Sequence, residues 1–340
     1  MLRLHAAQGP RRLGSFAILA QKRHLGRREL RPQGHGKVKV RSSTGSNYDL
    51  AGAIDMHVHS APDVVPRLVD DVQVARQAEM AGMEAVVLKN HLFSTVGRAW
   101  LVDKMVTGVR VFGGVVLNQG ATGGLNAEAV QANLALGAKV IWMPTMVPGD
   151  ENEAAMSAMA QRYQDLVGQT GVDLGDPETV ACTRRILGCI ADADAVLATG
   201  HLAPTAVRAL VELAMGAGVR KMLVTHPDSP LVGMPIHEQV DLSRQGVYFE
   251  RCAYSIVDDQ YGVPVAQIGA AIRATGIEHN VISSDLGQIQ NPAPVDGLRI
   301  FCEALGGEGF EEEELAVMTK ANPRLLLGAE HAGSASVEAD

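Results

Sequence analysis

The sequence predicts a (β/α)8 barrel, and three observations carry that expectation. Eight short apolar runs recur between residues 53 and 285. Segments with helical periodicity separate them, and several stop at glycine just before the next run. No glycine-rich phosphate loop follows an early run, as an open doubly wound sheet would usually show. A chain of 340 residues also suits a barrel of roughly 250 residues with additions.

The runs are AIDMH (53–57), AVVLK (85–89), VRVFGGVVL (109–117) and KVIWMPT (139–145), then AVLATG (195–200), KMLVTH (221–226), VYFERC (247–252) and NVISSD (280–285). Each is bounded by turn formers and is short enough for a buried parallel strand. Between the fifth and sixth, Val207, Leu210 and Leu213/Ala214 recur at helical spacing in PTAVRALVELAMGAG. One connection is long. Residues 146–179 precede the next helix after the fourth run, which reads as a lid, a dimer contact or a solvated insertion. EEEELAVMTKANPRLLLG reads as a helix packing on the barrel. The organisation expected is therefore a leader over 1–48, the barrel over 49–328 and a small-residue tail over 329–340.

Charge is unevenly spread. Residues 1–48 carry eleven Lys or Arg and one acid, Glu29, which leaves the remainder with a balance of −18. An acidic body argues against nucleic-acid binding, which needs a basic footprint. No apolar run approaches the roughly 20 residues of a membrane span. The basic leader resembles a mitochondrial transit peptide or is a disordered extension; the expected location is the cytoplasm, or the mitochondrial matrix if the leader targets it. Four cysteines without a CxxC pair read as reduced, packed thiols.

The chemistry is concentrated at the ends of the runs. In a (β/α)8 barrel catalytic groups sit at the C-terminal ends of strands. There the sequence places His57 and His59 on strand 1, Lys89, Asn90 and His91 on strand 2, and Asn118 and Gln119 after strand 3. His201 follows strand 5, His226 ends strand 6, Glu250 and Arg251 lie on strand 7, and Asp285 ends strand 8. Residues two apart in a strand share a face, so His57 and His59 are expected to converge while Met56 and Val58 face away. Five of the seven histidines between 53 and 285 fall on this rim; His237 and His279 do not. Neutral imidazoles with a carboxylate make an N/O set suited to zinc or another divalent transition metal. Such an ion activates water, and Asp285 is placed to move its proton.

With those residues in view, the pattern resembles the amidohydrolase superfamily of metal-dependent hydrolases over about residues 53–328. The resemblance rests on H-x-H in strand 1, single histidines after strands 5 and 6, aspartate after strand 8 and the closing MTKANPRLLLG. DMHVHSAPD and VVLKNH look more narrowly like an uncharacterised branch. The resemblance implies that His57, His59 and Asp285 hold one ion. His201 and His226 then hold a second, or one binds metal and the other substrate. One or two divalent ions are expected, zinc first, with manganese, iron or cobalt as alternatives. Relatives usually bridge two ions with a strand 4 lysine or glutamate, and this chain has neither there. Lys89, carboxylated, is the expected replacement, with Glu250 as the alternative; an uncarboxylated Lys89 would instead bind an anionic substrate.

Substrate contacts are expected from His91, Asn90, Asn118, Arg67 and Arg98, the arginines suiting carboxylate or phosphate. Asp228 either orients His226 or starts a turn. The activity expected is hydrolysis of a small polar amide, cyclic amide, lactone or other ester. Phosphoester hydrolysis, decarboxylation and a non-catalytic binding role on the same scaffold are the alternatives. A homo-oligomer is expected from the resemblance.

Overall fold

The structure, a computed structural model, describes residues 48–146, 170–257 and 262–328. The leader apart from Tyr48, most of the connection after strand 4 and the 329–340 tail lie outside the described residues.

Eight parallel strands pair in sequence order: β1 (Ile54–His59), β2 (Ala85–Lys89), β3 (Arg110–Val116), β4 (Val140–Trp142), β5 (Val196–Ala198), β6 (Met222–Val224), β7 (Tyr248–Cys252) and β8 (Asn280–Ser283). The sheet closes between its ends. The Asp285 amide donates to the His57 carbonyl at 2.8 Å, and the His59 amide donates to the Leu286 carbonyl at 2.9 Å. The expected (β/α)8 barrel is the fold observed. β4, β5 and β6 hold only three paired residues each, because the chain leaves the sheet early to build the rim.

Helices cover the outside. Those over the first half are α1 (Asp71–Met80), α2 (Val96–Asp103), α3 (Gln119–Thr122), α4 (Ala127–Ala135) and α5 (Pro177–Asp192). The second half carries α6 (Pro204–Gly216), α7 (Ile236–Ser243), α8 (Tyr254–Val257), α9 (Val265–Thr275) and α10 (Pro294–Gly307). α11 (Glu312–Ala316), a π turn (Val317–Ala321) and α12 (Asn322–Leu327) follow. Local chemistry sets their starts: Asp70 caps α1 through the Gln73 amide, and Asp176 caps α5 ahead of Pro177. The long connection therefore ends at residue 176, and a hydrogen bond from the Thr170 amide to the Met146 carbonyl joins its described flanks.

Two layers of core result. Outside the sheet, Val86, Leu298 and Phe301 pack on one arc, and Ile141, Ile190, Leu210 and Phe249 on another. Inside it, Ile54, Val87, Val116, Trp142, Val196 and Leu223 fill the barrel. Leu326 and Leu327 of α12 join this interior cluster, while Arg324 pairs with Glu84 just before β2. Trp142 fits because β3 has no side chain opposite it. A Cβ on Gly114 would lie 2.6 Å from the indole and 2.1 Å from the Val140 carbonyl oxygen.

One expectation about β1 is corrected. Ile54 and Asp55 pair with Ala85 and Val86, but Val58 pairs with Leu88, so β1 carries one extra residue at Met56–His57. A bulge of this kind breaks strict alternation. Met56 packs in the barrel interior, as does the following histidine pair's side of the strand, while Val58 faces the helices.

Candidate metal centre

The five rim histidines meet in one ring. Centroids lie 5.2 Å apart for His57–His59, 4.9 Å for His59–His91, 6.1 Å for His91–His201, 4.8 Å for His201–His226 and 6.3 Å for His226–His57. Each comes from a different strand end except the β1 pair, so only barrel closure assembles them. His237 is exposed on α7 and His279 packs against Tyr248, both away from the ring.

Backbone geometry aims two of the ring's chemical groups. Among described non-glycine residues, His226 (φ 28°) and Asp285 (φ 52°) are two of three with positive φ. Such conformations cost about 1–3 kcal/mol and persist where surrounding structure over-determines them. Behind Asp285, Gly287 has φ 139°, and a Cβ there would stand 1.8 Å from the His59 carbonyl oxygen. The β8 loop can close on β1 only because that position is glycine.

The inner contacts are tight. His57 Nε2 lies 2.9 Å from Asp285 Oδ1, 3.3 Å from His59 Nε2 and 3.0 Å from Lys89 Nζ. His59 Nε2 is 3.1 Å from the same Asp285 oxygen. A neutral imidazole nitrogen offers one proton or one lone pair, so three hydrogen bonds cannot all form at His57 Nε2. The spacing instead fits donors around a cation: bonds of about 2.0–2.1 Å at tetrahedral angles separate ligands by roughly 3.3 Å. The donors His57, His59 and Asp285 thus fit a divalent ion in chemistry and in spacing.

Charge reinforces that fit. Burial pushes the His59, His91 and His201 imidazolium forms well below their ordinary range, and His226 to about 4. His57 moves up: burial opposes protonation, but Asp285 and Glu250 outweigh it. Asp285 is held well below the carboxylate range, because His57 and His59 overcome the effect of burial. Burial lowers Lys89, whose ammonium lies 5.5 Å from the Trp142 ring centroid.

Supporting contacts orient the ring. Glu250 Oε2 lies 3.0 Å from His57 Nδ1, and its other oxygen accepts from Ser283 Oγ at 3.0 Å. Both oxygens of Glu250 are therefore engaged behind His57, the arrangement that fixes a ligand's tautomer and disfavours a bridge. His91 Nδ1 is held by Thr145 Oγ1 at 2.8 Å, which leaves Nε2 for the ring. Asp55 Oδ1 accepts from the His57 amide at 3.1 Å and the Ser284 amide at 3.0 Å, tying β1 to β8 beneath the centre. Thr145 and Asp55 were not among the candidates from sequence. Asp55 stands inside the DMHVH run, and its burial on a strand was the available signal.

Other candidates take structural duties. Arg98 donates to the Pro62 carbonyl at 2.8 Å and pairs with Asp71, which also accepts from Ser60 Oγ, so it braces the β1–α1 loop. Asn118 spends its whole amide on His91 O, Thr145 Oγ1 and the amides of Thr145 and Met146. Asn90 Oδ1 turns the chain after β2, accepting from the Leu92 and Phe93 amides, while its Nδ2 is buried with no hydrogen-bond partner among the described residues. Asp228 grips Arg251 with both oxygens at 2.8 Å and does not orient His226. Gln119 is exposed at the start of α3. Arg67 does reach the centre: it pairs with Asp63 at 2.8 Å, and its Nη2 lies 3.4 Å from His59 Nδ1.

A barrel with histidines and aspartate gathered on its C-terminal face defines the class of protein. Residues 52–250 match the family described as "Family of unknown function (DUF6282)", and the chain belongs to that family. No curated protein matches it. Among solved structures it is similar to the lactonase Lmo2620 from Listeria monocytogenes, with TM-score 0.55, 11% identity and coverage of 81% of this chain and 94% of that one. An amidohydrolase from Pseudomonas aeruginosa gives 0.53, 11%, 81% and 95% in the same order. The phosphotriesterase homology protein from Escherichia coli, complexed with phosphate in its active site, gives 0.51, 14%, 82% and 100%. At these identities the likeness is one of fold.

Proposed function

We propose that this chain is a metal-dependent hydrolase of the amidohydrolase type, acting on a small polar molecule with an amide, cyclic amide, lactone or other ester bond. The observation that carries the reading is the convergence of His57 Nε2, His59 Nε2 and Asp285 Oδ1 within 3.3 Å of one another. The fold shared with a lactonase and an amidohydrolase is consistent with it.

His57, His59 and Asp285 would hold one ion. His201 and His226 would hold a second, or divide between the ion and the substrate. A divalent ion held by these residues would supply a water with pKa lowered toward about 7 and a Lewis acid for the scissile carbonyl. Asp285, ionised and fixed by two imidazoles, accepts the proton of the attacking water and returns it to the leaving group. Glu250 keeps the His57 tautomer with Nε2 free for the ion. His91, held by Thr145, would hydrogen-bond substrate, and Arg67, beside His59, would meet a carboxylate on it.

Lys89 would help to hold a second ion if its amine took up carbon dioxide, releasing a proton and becoming a carbamate. Burial favours the neutral amine that this reaction needs, and Lys89 Nζ lies 3.0 Å from His57 Nε2 at the centre. Phosphoester hydrolysis is the second reading, favoured by the cations Lys89 and Arg67 and by the phosphate in the similar Escherichia coli structure.

The deciding experiment is metal content after reconstitution with zinc, manganese or cobalt, alongside His57→Ala/His59→Ala. One or two equivalents in the parent and a clear loss in the variant are expected. A parent that stays empty overturns the reading. Ester, lactone, amide and phosphotriester panels on the loaded protein then assign the bond.

A further inference from the structure

The four cysteines look alike in the sequence, and the fold sets one of them apart. Glu250 and Cys252 stand two apart on β7 and share a face. Tyr248 packs with the interior cluster and Phe249 with the helices, so Glu250 and Cys252 face into the barrel. Cys252 is 1% exposed, and among the described residues its thiol makes no hydrogen bond. Cys182, by contrast, donates to the Leu125 carbonyl at 3.3 Å, and Cys302 lies in the outer core.

The unpartnered thiol is aimed at two metal-binding groups. Cys252 Sγ, a Glu250 carboxylate oxygen and a His57 ring nitrogen all lie within 4.8 Å of one another, and all three residues are buried. Glu250 Oε2 stands 3.0 Å from His57 Nδ1, the ring nitrogen that His59 and Asp285 do not meet. Lys89 Nζ approaches the opposite nitrogen, Nε2. Zinc-like ions bind nitrogen and oxygen at about 2.0–2.2 Å and thiolate at about 2.3 Å, which separates donors around one ion by roughly 3.3–3.6 Å. Two anionic donors and an imidazole also offset the charge of a divalent cation.

We propose that His57 Nδ1, Glu250 and Cys252 form a thiolate-bearing metal site, back to back with the candidate centre, for a thiophilic divalent ion such as cadmium or zinc. Glu250 Oε1 stays with Ser283, which leaves Oε2 for the ion. Loading releases the Cys252 thiol proton to solvent. The His57 Nδ1 proton goes to solvent when the candidate centre is filled, and to Nε2 beside Asp285 when it is empty. The two positions draw on opposite nitrogens of one ring. The site does not rest on the hydrolysis assigned to the candidate centre.

Absorption spectra of the full chain titrated to excess with cobalt test this. A thiolate ligand adds an intense near-ultraviolet charge-transfer band that nitrogen and oxygen ligands do not. The parent should show the band, and His59→Ala, which removes a donor of the candidate centre only, should keep it. Cys252→Ser should lose it, while Cys182→Ser/Cys189→Ser should not. Cys252→Ala repeats the test if the serine variant loses native circular dichroism. Cadmium affinity should fall further than manganese affinity in the Cys252 variant, since thiolate selects the softer ion. A parent that binds cobalt without the band leaves the candidate centre standing and overturns this site. Loss of the band in His59→Ala would place the sulfur in the candidate centre and overturn a separate site. A band that survives without Cys252 would overturn it as well.

Discussion

Asp55 shows how one side chain serves fold and site together. Its Oδ1 is the acceptor for two buried amides, those of His57 and Ser284. Asp55→Ala leaves both donors unsatisfied, and a loss of about 2–4 kcal/mol is expected in denaturant titration. Burial raises the Asp55 pKa from 3.8 to about 6, so the folded state holds a proton that the unfolded chain has released. Stability contributed by this group is present below about pH 4 and lost as pH rises through about 6, on the order of 3 kcal/mol. In the metal-free protein, subtracting the Asp55→Asn pH–stability curve from that of the parent should leave this falling step. A flat difference would mean that Asp55 titrates alike in the folded and unfolded chains. Glu250 acts one atom further out. Glu250→Gln should weaken metal binding by about 10–100-fold in a competition titration, since it alters the partner of His57 Nδ1.

At the scale of elements, strand endings carry the site and neighbouring contacts hold them in place. Arg251, fully buried on β7, grips Asp228 two residues past His226. Arg251→Met strands a buried carboxylate, and about 3–5 kcal/mol of stability should be lost. Metal affinity should fall with it, because the His226 turn loses its anchor; unchanged affinity would show that the turn is held by other contacts. Gly114→Ala drives a methyl into the β4 backbone and Trp142. Thermal melting should report a loss of about 3 kcal/mol, the upper part of the range for overpacking, or failure to fold. The eight strands were legible in the sequence because buried parallel strands read as continuous apolar runs. Their lengths were not. β4–β6 pair over three residues only, since pairing ends where the chain turns to present the rim. Nor was the β1 bulge visible, because an extra residue leaves no mark in an apolar run.

For the whole molecule, a centre built by closing the barrel should couple ion binding to stability. An ion that binds the folded chain alone adds about 2.7 kcal/mol at a hundredfold excess over its dissociation constant. Melting of the parent should therefore rise on adding zinc and fall with a chelator, while His57→Ala/His59→Ala should respond to neither. A parent insensitive to both would argue against the centre. The histidines on the rim were readable in advance because each follows an apolar run, where the fold places functional groups. Asn118 satisfies the same positional rule and Arg98 lies in α2 beyond it; both are engaged in structural contacts, since sequence position says nothing about nearby acceptors. Asp71 and the Pro62 carbonyl consume one, and the β4 turn consumes the other.

By itself, the sequence determined the number and order of strands, the barrel and the set of imidazoles and carboxylates facing its C-terminal end. These follow from local hydrophobic pattern and from chain order, which are written residue by residue. Only the tertiary structure decided which polar groups converge and which are spent on backbone. Asp285 meets His57 across 228 positions of chain, and that contact exists because closure of β1 against β8 brings the two strand ends within hydrogen-bonding distance.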